Sequence, residues 1–271
     1  MRTGSKQLLL IAGAFLLTVI LYFAPKKIEK QEPGNKQGNS FSIESLVAEA
    51  KGQLKRQEVE RINVVEGALQ KEPASLTLLD SLGKMWDRVN MPQISSYYFE
   101  KIAQINPGEK TWINAAYRYF DAFRISGDSL LRHMFVDKAI SAYKKVIEIN
   151  PDNLDAKTDL GLCYADGTSA PMQGIMLLRE AVEKKPDHEM AQFNLGILSL
   201  KSGQNEKAVE RFQKVLDINP ANKEARFLLG RAYVMMGKKE LALQNLNMIR
   251  ESNDSTLNEE VQILINQINN H

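Results

Sequence analysis

Apolar residues along the chain follow two regimes. From Leu8 to Ala24 no charge interrupts the run, with Arg2 and Lys6 before it and Lys26 and Lys27 after. A helix of that length spans roughly 26 Å, and flanking Tyr22, Phe23 and lysines make up the rest of a hydrocarbon core of about 30 Å. The pattern predicts a single transmembrane helix over 8–24 behind a short basic tail, 1–7. A cleaved signal peptide fits less well: the run exceeds the usual apolar region, and Tyr22 and Pro25 spoil the small-residue site that cleavage needs. No cysteine near its end offers a lipid attachment point. Residues 25–40, above all Gln31 to Ser40, read as a flexible linker of Gly, Pro and polar residues. Beyond residue 41 the apolar positions recur three and four apart, the signature of helices with one buried face.

Prolines and glycines divide this helical part at a fixed interval. Pro73, Pro107, Pro151, Pro186 and Pro220 are 34, 44, 35 and 34 residues apart, and Gly83, Gly161, Gly196 and Gly230 each follow a proline by ten. A period near 34 signals stacked repeats. Each glycine is preceded by leucine, and three residues later stands Trp86, Tyr164, Ser199 or Tyr233. Ala208 and Ala242 follow twelve after Gly196 and Gly230, with Phe212 and Leu246 four further on. Leu195, Gly196 and Ser199 share one face of a first helix, and Ala208, Phe212 and Val215 share one face of the helix that follows.

These landmarks resemble the tetratricopeptide repeat over residues 76–254, in a form like N-terminally membrane-anchored bacterial proteins. The resemblance implies an all-α fold, a right-handed superhelical solenoid of antiparallel helix pairs. Its units run about 76–108, 109–151, 154–187, 189–221 and 223–254. The second unit carries about ten extra residues, which predicts two lengthened helices with Asp128 or Ser129 as N-cap. A one-residue insertion near Gly167 to Pro171 predicts a longer turn in the third. Residues 41–72 read as an N-terminal capping pair. Residues 255–271, with Leu257, Val261, Leu264, Ile265 and Ile268 on one face, read as a C-terminal capping helix.

Charge and composition narrow the function. The 271 residues carry a formal net charge of +2. The first forty hold six Lys/Arg and two Glu, so the remainder is slightly acidic, which argues against a nucleic-acid partner. One cysteine, Cys163, excludes an internal disulfide and an all-cysteine metal site. Three histidines, His133, His188 and His271, stand without a second ligand at metal spacing. His188 is expected solvated in a turn, and Cys163 buried and inert. Gly83-Lys84-Met85 lacks the glycine and Ser/Thr of a phosphate loop, and Asp152 to Asp155 reads as a turn and N-cap rather than a calcium loop. The expectation is no catalytic residue, no metal, no cofactor and no small-molecule substrate.

The resemblance places positions 2, 5, 9 and 12 of each first helix in a concave groove. Those positions are polar in the first unit, Thr77, Asp80, Lys84 and Asp87, and Asp155, Thr158, Leu162 and Ala165 in the third. The fourth offers Met190, Phe193, Ile197 and Leu200; the fifth offers Glu224, Phe227, Arg231 and Val234. Asp80 and Lys84 do not reproduce the lysine and asparagine clamp that some members use for C-terminal carboxylates. Met190, Phe193, Ile197, Leu200, Phe227, Arg231 and Val234 are the candidate contacts for a protein or peptide partner. The functional expectation is a membrane-tethered interaction scaffold. The alternatives are a chaperone-like assembly factor for exported or membrane proteins, and a non-catalytic subunit of a membrane complex. The basic flanks of the apolar run nearly balance, leaning toward a bacterial inner-membrane protein with its folded part in the periplasm.

Overall fold

The structure, a computed structural model, describes residues 42–250 and 254–270. The predicted transmembrane helix, the tail and the linker lie outside these residues. Among the described residues there are thirteen helices and no strand, and no helix is long and apolar enough to cross a membrane.

The helices are α1 (Ile43–Gln53), α2 (Arg56–Lys71), α3 (Leu76–Arg88), α4 (Pro92–Ile105), α5 (Glu109–Ile125), α6 (Ser129–Ile149) and α7 (Leu154–Gly167). Then follow α8 (Pro171–Lys184), α9 (Glu189–Lys201), α10 (Asn205–Ile218), α11 (Lys223–Met235), α12 (Lys239–Asn247) and α13 (Ser255–Asn269). From α3 onward each helix packs on the next, giving the pairs α3/α4, α5/α6, α7/α8, α9/α10 and α11/α12. The first helices α5, α7, α9 and α11 also touch one another in order and form one layer. α13 takes the place a further first helix would occupy, against both α11 and α12, and buries Val261, Ile265 and Ile268 there. At the other end α1 packs on α4 and, through Lys51 and Glu66, on α2.

Glycine at the repeat landmark has a packing cause. A Cβ at Gly196 would stand 2.7 Å from the Phe212 ring, and Phe212 is fully buried. The backbone proximity lets the ring lie over the first helix, so the fourth unit gains a core residue worth about 3–5 kcal/mol on truncation. In the third unit two glycines meet: a Cβ on Gly161 would come 3.0 Å from the Gly174 carbonyl oxygen.

The lengthened second unit is real, and its extra turns are packed rather than merely projecting. α5 has 17 residues and α6 has 21, with Asp128 accepting a hydrogen bond from the Leu131 amide at 2.8 Å as N-cap. Phe135 and Val136 of the added segment are buried with Phe123. Only the tip, with Ile125 and Leu130, stays open.

The third unit departs from expectation. Its turn, Thr168 to Ala170, is three residues long, as in the first, fourth and fifth units, and the additional residue sits in α7. The other turns pass through the left-handed region at Asn90 (φ 56°), Gly203 (φ 72°) and Gly237 (φ 70°). The third has no such residue, and Thr168 closes it by accepting from the Ala170 amide at 3.0 Å. The helix absorbed the insertion, and the turn changed type rather than length.

Candidate partner-binding groove

The first helices α7, α9 and α11 each begin with a capping side chain, and at these three junctions the cap is tied to the preceding unit. Asn153 accepts from the Ala156 amide at 2.7 Å and donates to Glu109 at 2.6 Å, where Asn150 also donates at 3.1 Å. Asn222 likewise accepts from Ala225 at 2.8 Å, and Asn222 and Asn219 both donate to Glu189 at 2.9 Å. Between them lies a variant. His188 Nδ1 accepts from the Ala191 amide at 3.3 Å, leaving the Nε2 proton to face Asp155 Oδ1 at 3.1 Å. His188 is 6% exposed, which corrects the expectation of a solvated turn residue. It is held because it caps α9 and bridges two units at once.

These junctions position a cleft of about 720 Å³ where α7, α9 and α11 begin. Met190 and Phe193 line it from α9, Ile218 from the end of α10, and Asp155, Asp187, Glu189 and Glu224 supply carboxylates. Met190 is 45% exposed; Phe193 is half-buried, its ring edge-on to Phe212 at 5.9 Å between centroids.

The other candidate residues separate. Ile197 and Leu200 are half-buried against the α10–α11 cluster of Phe212, Leu216 and Leu229. Phe227, one repeat after Phe193, is 8% exposed in the cluster that α13 closes with Val261, Ile265 and Ile268. Val234 packs on that same cluster, whereas Arg231 is exposed. The apolar surface expected to continue from the fourth unit onto the fifth is thus covered by α13 at Phe227. In the first unit Asp87 is engaged by the Arg118 guanidinium, with Nη2 to Oδ2 at 2.6 Å, and Arg118 stacks over Phe99.

Sequence reasoning missed the junction ties. Their signal is the Asn-Pro-x-Asn turn at 150–153 and 219–222 paired with a glutamate opening the preceding unit's first helix.

Reactive groups lie in the core. Cys163 is fully buried, and burial pushes its thiol well above the usual range, which makes thiolate chemistry unfavourable. Asp159 is pushed up to about 6, chiefly by burial, while a hydrogen bond with Tyr143 opposes the rise. It lines no part of the cleft. Among the described residues no group of three His, Cys, Asp or Glu side chains could hold a metal ion.

Residues 199–268 and 136–153 match models of the tetratricopeptide repeat. These segments are tetratricopeptide repeats. The fold is that of a tetratricopeptide repeat protein from Parabacteroides merdae, at TM-score 0.58 and 19% identity over 83% of this chain and 85% of that one. It is also that of PilW, a type IV pilus biogenesis factor, at TM-score 0.56 and 15% identity over 82% of this chain and all of that one. Among curated proteins, the human antiviral innate immune response effector IFIT1 is 30% identical over 122 residues, 38% of this chain and 26% of its own length. The Arabidopsis thaliana CTR9 homolog is 26% identical over 212 residues, 77% of this chain and 17% of its own. The chain therefore spans about a quarter or less of the curated relatives it matches. Tetratricopeptide repeat proteins are generally interaction scaffolds that bind protein or peptide partners, and generally non-catalytic.

Proposed function

We propose that this chain is a membrane-tethered adaptor that seats a partner segment in the cleft between α7, α9 and α11. The observation that carries the reading is Met190. It is a large apolar side chain left 45% exposed beside Phe193, whereas Phe227, the counterpart of Phe193 in the next repeat, is hidden beneath α13. A preformed, rigid cleft binds by excluding water from such residues without ordering cost on its own side. The tether is supported by the uncharged run Leu8 to Ala24 and its basic flanks, and the short basic leading tail favours the periplasmic side of a bacterial inner membrane for the folded part. Holding partners at the bilayer raises their effective concentration. No catalytic role is assigned.

Two measurements test this. Met190→Asp places a carboxylate at the mouth of the cleft and should abolish co-purification of the partner while leaving the helical signal and melting temperature unchanged; undiminished recovery contradicts the assignment. The chain should stay with membranes after an alkaline wash and lose that association when residues 8–24 are deleted. Release of the intact chain contradicts the tether.

A further inference from the structure

Three consecutive first helices bring the same position, their second residue, to the cleft: Asp155 on α7, Met190 on α9 and Glu224 on α11. The row reads acid, apolar, acid. Asp155 is 77% exposed in its side chain even while it faces His188, and Glu224 is exposed. Asp187 adds another carboxylate, and neither it nor Glu224 has an ion-pair partner among the described residues. Lys185 is the one lysine or arginine among the described residues that line the cleft. A low-dielectric floor of Phe193 and Ile218 beneath such a rim focuses a negative potential at the mouth.

From this charge pattern we infer that the cleft takes an extended peptide segment in which a large apolar side chain stands between two cationic ones. The inference rests on the partner-binding reading above and specifies its occupant. The segment crosses the first helices, its apolar residue against Met190 and Phe193 and its cations toward Asp155 and Glu224. Helices in contact lie about 8–10 Å apart, and an extended chain advances about 3.3 Å per residue. Each cation therefore stands about three positions from the apolar residue. An acidic segment meets uncompensated repulsion, so the same rim that attracts one class of partner rejects the other.

Selection of displayed random dodecapeptides on the 271-residue chain in detergent micelles tests this directly. The expected pool carries Lys or Arg about three positions to either side of Leu, Met or Phe, and its binding weakens as salt is raised. The double variant Asp155→Lys/Glu224→Lys should weaken that pool about tenfold. Glu224→Lys alone serves the same comparison if the double variant loses its thermal transition. A pool rich in acidic or neutral segments, or a cationic pool bound equally by the charge-reversed chain, overturns the inference. Apolar segments enriched without charge preference and lost in Met190→Asp also overturn it, and leave the adaptor reading standing. No enrichment at all overturns both.

Discussion

The His188 imidazole stands with Nε2 3.1 Å from Asp155 Oδ1 while its Nδ1 accepts the Ala191 amide, so one side chain both caps α9 and links the third repeat to the fourth. At the neighbouring junctions an asparagine pair and a glutamate do the same work. His188→Ala removes the cap and should destabilise the chain by about 1–2 kcal/mol, read from denaturant unfolding. Asp155→Asn, altering only the exposed partner, should cost under about 1 kcal/mol. Equal costs for the two would contradict the capping role.

Glu189→Ala leaves two half-buried asparagine amides without their acceptor and should cost about 1–3 kcal/mol. The loss should be felt between the fourth and fifth repeats, so amide exchange there should rise before it rises in α5 and α6. Uniform acceleration along the chain would contradict a junction-local tie.

Two glycines should respond in opposite directions to alanine. Gly196→Ala drives a methyl against the Phe212 ring and should destabilise by about 1–3 kcal/mol despite the better helix propensity. Gly67 in α2 has nothing within 4 Å of its Cβ position, so Gly67→Ala should stabilise by about 0.5–1 kcal/mol. Thermal melts of the two variants decide this, and Phe212→Leu should reduce the penalty at Gly196.

Asp159 gives the fold a pH dependence. Its carboxyl is raised from 3.8 to about 6 by burial. Between those values the folded chain holds a proton that the unfolded chain has released, so stability falls as pH rises through the window. The penalty is absent below it and full above about 6. Asp159→Asn keeps an oxygen for Tyr143 and should flatten this slope, stabilising the chain by about 1–3 kcal/mol at pH 7–8. An unchanged slope would place the titration elsewhere.

The repeat was legible because its determinants are local. Pro73, Pro107, Pro151, Pro186 and Pro220 each follow the end of a second helix, which they cannot continue, and Gly196 is small because Phe212, sixteen residues later, must lie over it. Asp128 as N-cap was legible for the same reason. The junction ties were not, since Glu109 finds its amides 41 and 44 residues away and no local rule connects them. The site was legible by half. Phe193 and Phe227 occupy the same repeat position and read identically, yet only the second is buried under α13. What separates them is a helix more than 25 residues downstream, which repeat position does not encode.

That difference supplies the most direct test of the account. A photo-crosslinking residue at position 190 of the membrane-bound chain should give adducts to another protein, and the same residue at position 227 should give adducts within residues 255–270 of its own chain. Adducts from 190 confined to its own chain, with foreign protein captured only from 227, would contradict the cleft as the partner site.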